Sequence, residues 1–363
     1  MTGVRGANQQ AGRCALPAAL SVVLARSTQR RGALALALLP LSWLFASLAA
    51  LRRWLFRHGA LRQERMAVPL IVIGNITVGG SGKTPVVLWL AQVLRDRGFH
   101  PGIISRGYGG SAEAPRVVLA SDAAALVGDE PLLLARRSGC PVWIARRRVA
   151  AARALLAAHP ECDVLIADDG LQHYRLARDF EIAVMDERGV GNGWFLPAGP
   201  LREPLSRLAG VDAIVLNGGK CPAQGALPQS VPWYPMKLFG TAFHRLDAPA
   251  DVCSVAELRG KRLHAIAGIG NPQRFFDHLR RLGLEFIAHP FPDHHRFRAA
   301  DLEFPDADAL LMTEKDAVKC DAMRLQQARV LRVDAQVSAD VSGRHRPDLI
   351  DLVLEKLDGS TSA

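Results

Sequence analysis

Six apolar runs of strand length recur through the first two-thirds of the chain: "IVIG" (71–74), "GIIS" (102–105), "PVWIA" (141–145), "VLIAD" (164–168), "EIAVMD" (181–186) and "AIVLN" (213–217). They are rich in β-branched residues and show little polar alternation, the pattern of parallel strands buried on both faces. Stretches of helical period lie between them. The clearest is "TPVVLWLAQVLRDRG" (84–98), where Val87, Leu90, Ala91 and Leu94 share a face and Gly98 can end the run. Alternating strands and helices predict an α/β fold, a parallel sheet flanked by helices.

The pattern changes after residue 220. "CPAQGALPQSVPWYPMKL" is proline-rich and lacks a helical period, and it predicts an extended linker over 221–250. Beyond it, "LHAIAGIG", a helix over 272–283, "LEFIAHP" and "ALLMTEKDAVK" predict a second, smaller α/β domain. The expected organisation is an N-terminal extension (1–31), an anchor helix (32–55), a core domain (56–220), the linker, a smaller domain (251–335) and a C-terminal segment (336–363). That last segment is expected to return to the core and to end in a disordered tail, "DGSTSA". No internal repeat is present.

From Gly32 to Leu51 the chain carries twenty uncharged residues, "GALALALLPLSWLFASLAAL". As one helix they would cover roughly 30 Å, the hydrocarbon thickness of a bilayer. Arg26, Arg30 and Arg31 precede the run, Arg52, Arg53 and Arg57 follow it, and Trp43 and Trp54 suit an interfacial position. Pro40 would kink such a helix. The pattern predicts membrane attachment and leaves three forms open: a span, an inserted hairpin or an amphipathic anchor.

Composition narrows the partners. The 363 residues carry 45 basic and 35 acidic side chains, a surplus of +10 that favours anionic partners. Only 6% of the chain is aromatic, and basic residues are not interleaved with exposed rings, so no nucleic-acid module is legible. A membrane surface and a phosphorylated ligand fit better. The six cysteines (14, 140, 162, 221, 253 and 320) form no C-x-x-C pair and suit a reducing compartment.

Candidate chemistry centres on "NITVGGSGKTP" (75–85), between the first apolar run and its helix. Gly79, Gly80 and Gly82 let backbone N–H groups converge on one anion, and the helix N-terminus adds partial positive charge. Residues Thr77, Val78, Gly79, Gly80, Ser81, Gly82, Lys83 and Thr84 are expected to bind nucleotide. Lys83 would reach the β/γ-phosphates and the Thr84 hydroxyl would ligate Mg²⁺. One position departs from the general pattern: Thr77 stands where a leading glycine is usual.

Asp168 and Asp169 end another buried run, where an acidic residue close to a phosphate loop holds Mg²⁺ directly or through water. Adjacent side chains on a strand point oppositely, so the two are expected to divide roles, one toward metal and one toward Lys83 or a catalytic water. Asp129 precedes an apolar helix opening with proline, where it can cap the helix. "GNGWFLPAGPLREP" (191–204) reads as a ligand-wrapping loop ending in Arg202 and Glu203. "FPDHHRF" (291–297) brings Asp293, His294 and His295 together with spacing that suits a proton-transfer or orienting pair better than zinc.

These stretches, with "SRGYGG" (105–110), "VGDEP", "DDGLQH", "GIGNPQRFF" (268–276) and "LMTEKDAVK" (311–319), resemble the tetraacyldisaccharide 4′-kinase family in order over residues 35–330. That family's phosphate loop also lacks the leading glycine, so Thr77 counts toward the resemblance. The resemblance implies transfer of the γ-phosphate of ATP to the 4′-hydroxyl of an acylated glucosamine disaccharide 1-phosphate. It implies ATP and Mg²⁺ as cofactors and a place at the cytoplasmic face of the bacterial inner membrane, among phospholipids, with no obligatory protein partner. Carried over by motif, Asp129 is the expected catalytic base, His294 its partner, and Lys83 the phosphate-contacting catalytic residue. Thr84, Asp168, Asp169 and Glu203 form the expected metal set. Both His294 and His295 occupy the histidine motif, and the second domain is expected to bring its histidine to Asp129 on closure.

Two other classes compete. A membrane-associated switch ATPase has similar glycine-rich loops but usually a second signature lysine, and Val78 occupies that place here. A lipid-binding scaffold with a dead nucleotide site is the other.

Overall fold

The computed structural model describes residues 31–218, 227–320, 323, 325–339 and 347–361. The expected extension over residues 1–31 therefore lies almost wholly outside the described residues, as do residues 362–363 of the tail.

The chain begins with helices α1 (Ala33–Ala37) and α2 (Leu39–Arg57), with Pro40 in the first turn of α2, where a missing N–H costs nothing. The core domain follows with β1 (Leu70–Gly74), α3 (Lys83–Asp96), β2 (Pro101–Ser105), β3 (Arg116–Val117), α4 (Ala124–Val127), α5 (Asp129–Arg137), β4 (Val142–Ile144) and α6 (Arg148–Ala158). It continues through β5 (Val164–Asp168), β6 (Phe180–Asp186), β7 (Ala213–Asn217) and β8 (Trp233–Phe239). The second domain holds β9 (Ala242–Arg245), β10 (Val252–Ser254), α7 (Val255–Leu258), β11 (Leu263–Ala267), α8 (Pro272–Arg281), β12 (Ile287–Pro290), β13 (Ala309–Thr313), α9 (Glu314–Ala317) and β14 (Ala328–Leu331). The chain then returns to the core through β15 (Asp334–Val337) and α10 (Leu349–Thr361).

The first sheet has nine strands in the order β15-β8-β7-β6-β1-β5-β2-β4-β3, parallel from β4 to β8 with an antiparallel strand at each edge. Central strands are buried throughout, and alternate residues feed different cores. Ile71 and Ile73 pack with Val86, Val87, Leu90 and Leu94 of α3, whereas Leu70 and Val72 pack with Ala151, Ala152 and Leu155 of α6. Each fully buried aliphatic side chain contributes about 1.5–3 kcal/mol. This two-sided burial is why the strands read as unbroken apolar runs. The second sheet has six strands, β10-β9-β14-β13-β11-β12, around its own core.

The fold differs from the sequence reading at four places. Residues 233–239, expected in an extended linker, are β8, hydrogen-bonded parallel to β7, and β9 already belongs to the second sheet. Proline spacing concealed them, because Pro235 sits within a strand near the sheet's edge. The crossing itself is only residues 240–241, beside the return crossing at Arg332 and Val333. The C-terminal helix α10 runs to Thr361, so most of the tail expected to be disordered is helical, and Leu349, Ile350, Val353 and Leu357 pack into the first core. Finally, among the described residues no helix is long and apolar enough to cross a membrane. That holds for α2, the helix over most of the apolar run. Arg52, Arg53 and Arg57 fall within that helix, and Ser42 on it donates to the Phe195 carbonyl at 2.7 Å, docking it on the core.

Candidate active site

The phosphate loop occupies the C-terminal end of β1, where a parallel sheet leaves a crevice for ligands. Gly82 precedes α3 with φ of 96°, and a Cβ there would lie 2.1 Å from the Asn217 amide nitrogen, so only glycine fits. Asn217, at the end of β7, donates to the Ser81 carbonyl at 2.9 Å and braces the loop. Thr77 forms an antiparallel bridge with Leu201, and Val78 N–H donates to the Pro200 carbonyl at 2.8 Å. Backbone at 77 is thus extended and paired with the "LPAGPLREP" loop, a conformation any residue adopts. That pairing makes the usual leading glycine unnecessary.

Lys83 begins α3 and its ammonium lies 3.5 Å from Asp169. Asp169 leaves β5 with φ of 49° and also accepts from Arg202 at 3.0 and 3.1 Å. Burial would push its carboxyl up, but Lys83 and Arg202 outweigh burial and hold it well below the usual carboxylate range. Asp168 is 1% exposed and accepts from the Ser105 hydroxyl at 3.3 Å. Burial, with Glu130 and Asp169 nearby, pushes its carboxyl up. Its Oδ1 has no protein partner. Asp169 thus faces Lys83, and Asp168 keeps a free oxygen.

Glu203 is also buried, and its carboxylate accepts from Gln172 at 2.9 Å and from the Tyr174 hydroxyl, with Arg207 at 3.3 Å. Among the described residues no three His, Cys, Asp or Glu side chains converge to hold a metal ion. Of the expected set, Asp169 and Glu203 have oxygens engaged by cations and donors of the protein, whereas Asp168 keeps one oxygen unpartnered. Asp168, with its unpartnered oxygen, and Thr84 in the first turn of α3 are the members that suit Mg²⁺.

Asp129 starts α5 and is 6% exposed. His294, from the loop after β12, donates through Nδ1 to both Asp129 oxygens, at 2.9 and 3.1 Å. Burial raises the Asp129 carboxyl, but the His294 hydrogen bond and the charges of Lys315 and Lys319 outweigh it and leave it below its ordinary value. His294 is raised: burial lowers it, and the bond to Asp129 with the charges of Asp293 and Asp129 overcomes that and the Lys315 charge. His295 pairs instead with Asp301 at 3.1 Å and stacks among Phe291 and Phe297. The motif's ambiguity resolves to His294. Contact with Asp129 is already made in this structure, so it does not await a further closure of the domains.

A cavity of about 970 Å³ lies beside these groups. Its walls include Gly79, Gly80 and Lys83 of the phosphate loop, Asp168, Asp169 and His294, and Phe45, Leu48, Ala49 and Arg52 of α2. Several wall residues carried no role in the sequence. Arg148 is 2% exposed and donates to the Asp168 and Asp169 carbonyls at 3.2 and 3.3 Å, yet it hid within the run "RRR". Tyr174 and Asn217 had no signal beyond proximity to a motif. Burial and the charges of Arg148, Arg106 and Arg52 bring His173 down to about 3, which keeps it neutral.

Strand, glycine loop and helix, with an acidic strand end beside the loop, define a phosphate-loop nucleotide-binding α/β protein. The comparisons narrow that class. The family model described as tetraacyldisaccharide-1-P 4′-kinase matches residues 34–354, and the chain belongs to that family. A tetraacyldisaccharide 4′-kinase of Azoarcus sp. (strain BH72) is 55% identical over 316 residues, covering 86% of this chain and 92% of the relative. Another, from Dechloromonas aromatica (strain RCB), is 55% identical over 323 residues, covering 89% and 92%. The crystal structure of LpxK from Aquifex aeolicus in complex with ATP superposes with a TM-score of 0.74 at 27% identity, covering 89% of this chain and 99% of that one.

Proposed function

We propose that this protein transfers the γ-phosphate of ATP to the 4′-hydroxyl of tetraacyldisaccharide 1-phosphate, completing a step of lipid A (lipopolysaccharide) biosynthesis. The observation that carries the reading is one cavity lined by the phosphate loop, by His294, whose imidazole is bonded to Asp129, and by apolar residues of α2. A phosphate donor and an acylated acceptor can meet there.

Lys83 and the loop N–H groups neutralise and orient the phosphates. Asp129, held ionised by its neighbours, orients the acceptor hydroxyl and accepts its proton late, while His294 fixes the carboxylate's direction. Arg202 and Asp169 set the position of Lys83. Thr84 and Asp168 would hold Mg²⁺, which supplies charge neutralisation at the β- and γ-phosphates.

Attachment is monotopic in this reading. On α2, Leu41, Trp43, Leu44, Leu48, Leu51 and Trp54 are all more than half exposed, and arginines flank them. Such a face suits the interfacial layer of a phospholipid membrane, here the cytoplasmic face of the inner membrane, where the acceptor's acyl chains remain in lipid.

The deciding experiment incubates purified protein in detergent with γ-labelled ATP, Mg²⁺ and the tetraacylated disaccharide 1-phosphate. Label should move into the lipid phase. Label released only as free phosphate would favour a switch ATPase and end the kinase reading.

A further inference from the structure

We propose that Lys315, on α9 of the second domain, is a positioning residue for phosphoryl transfer, closing a ring of charges around the Asp129–His294 pair. The inference rests on the kinase reading above and assigns a role to a motif, "TEKDAVK", that the reading leaves unused.

The ring has four members. His294 lies between two carboxylates, with Nδ1 at 2.9 Å from Asp129 and Nε2 at 3.7 Å from Asp293. The Lys315 ammonium touches both, at 3.9 Å from Asp129 and 3.4 Å from Asp293, and makes its shortest contact with Glu130 at 2.9 Å. Three carboxylates of the ring's surroundings thus share one ammonium that is 16% exposed. Burial would lower this ammonium, but Glu130, Asp293 and Asp129 keep it charged well above the ordinary lysine range.

The backbone that presents Lys315 is pinned on both sides. Glu314 pairs with Arg137 of the core domain. Asp316, fully buried, accepts from Gly268 N–H at 3.1 Å, from the Thr313 hydroxyl at 2.7 Å and from Lys319 at 2.7 Å. A flexible lysine on a fixed stub can hold two carboxylates from different domains at one distance. Asp129 comes from the core, while Asp293 and His294 come from a loop whose φ at His294 is 57°, a conformation that needs outside support.

A domain staple would explain the contacts without any role in the reaction, and the two roles part on pH. The charged groups around the Asp129–His294 pair are Lys315 and Lys319 from α9 and the residues after it, Asp293 beside His294, and Glu130, which holds Lys315. Removing the Lys315 charge raises Asp129, which loses an attractive neighbour, and raises His294, which loses a repulsive one. The pair titrates as a unit, and both changes have the same sign. The acid limb of the kcat profile must therefore move to higher pH.

The test compares wild type, Lys315→Met, Lys315→Gln, Lys315→Arg and Glu314→Gln, the last removing only the neighbouring domain contact. In Lys315→Met and Lys315→Gln, kcat should fall about 10- to 100-fold while KM for ATP changes less than about threefold. The acid limb should move up in both, Lys315→Arg should recover most of the rate, and Glu314→Gln, whatever it does to the rate, should leave the acid limb at the wild-type pH. Nitrogen-15 titration of the His294 imidazole gives the same shift without turnover. An acid limb and a His294 titration that coincide with wild type in both neutral variants overturn the role of Lys315 and leave the kinase reading intact. A wild-type protein that transfers no label to the acceptor takes both down.

Discussion

Asp168 and Asp169 are neighbours in the chain, yet their carboxylates lie in opposite surroundings. The turn at Asp169, φ 49°, swings its side chain to Lys83 and Arg202, while Asp168 continues the strand direction and keeps an unpartnered oxygen beside Ser105. The pair thus separates a charge that fixes the phosphate lysine from an oxygen left for a cation.

That separation predicts different defects. Asp168→Asn should raise the Mg²⁺ concentration for half-maximal activity by about 10- to 100-fold. Asp169→Asn should leave that concentration nearly unchanged and lower kcat by about 100-fold, since Lys83 loses its orienting carboxylate. Mg²⁺ titrations of the two variants check this. Coincident titration curves would contradict the division.

A second prediction concerns stability beneath the site. Arg207 is 9% exposed and donates to both Glu181 oxygens at 2.6 and 2.7 Å, while it also reaches Glu203. Arg207→Met takes the cation from Glu203 and leaves Glu181 only Arg178, and should cost about 3 kcal/mol in urea unfolding. Arg207→Met with Glu181→Leu should cost less than the single change, because an apolar pair needs no counter-charge. A larger loss in the double variant would refute the account.

Legibility followed the range of the interaction. Strand runs, the phosphate loop and Asp168–Asp169 were readable because two-sided burial and phosphate binding impose local patterns on a few consecutive residues. The sequence pattern misplaced β8 and β9 because Pro235 interrupts the usual strand signature without breaking the sheet. It could not separate His294 from His295, which differ only in what lies 165 residues away or on the adjacent turn. Arg148 carries no local pattern, and Lys315 lies in a recognisable stretch that by itself assigns it no role. Their roles arise from partners that only the folded chain brings near.

The contact between the two domains makes a steric prediction. Gly270, in the loop before α8, would place a Cβ 2.6 Å from the Gly80 amide nitrogen of the phosphate loop. Gly270→Ala should push that loop off the phosphate loop and lower kcat/KM for ATP by at least about tenfold. Thermal stability should stay within about 3 °C of wild type, since no core packing is lost. Unchanged kinetics in the variant would show that the two loops separate during turnover.

The exposed face of α2 predicts how the protein meets lipid. Leu41 and Leu44 are 56% and 57% exposed, on a helix docked to the core through Ser42 and Phe195. Because the docking residues lie on another part of the helix, charging this face should spare the fold. Burying one leucine side chain contributes about 1.5–3 kcal/mol, so Leu41→Asp with Leu44→Asp should weaken binding to anionic phospholipid vesicles by at least about tenfold. Raised salt should weaken the wild type too, through Arg52, Arg53 and Arg57, but leave a residual apolar component that the variant lacks. Vesicle co-sedimentation at low and high salt measures both terms. Activity on acceptor dissolved in detergent should persist in the variant, whereas activity on acceptor embedded in vesicles should fall with the binding. Equal loss in both formats would place these leucines in the acceptor cavity and not at the membrane surface.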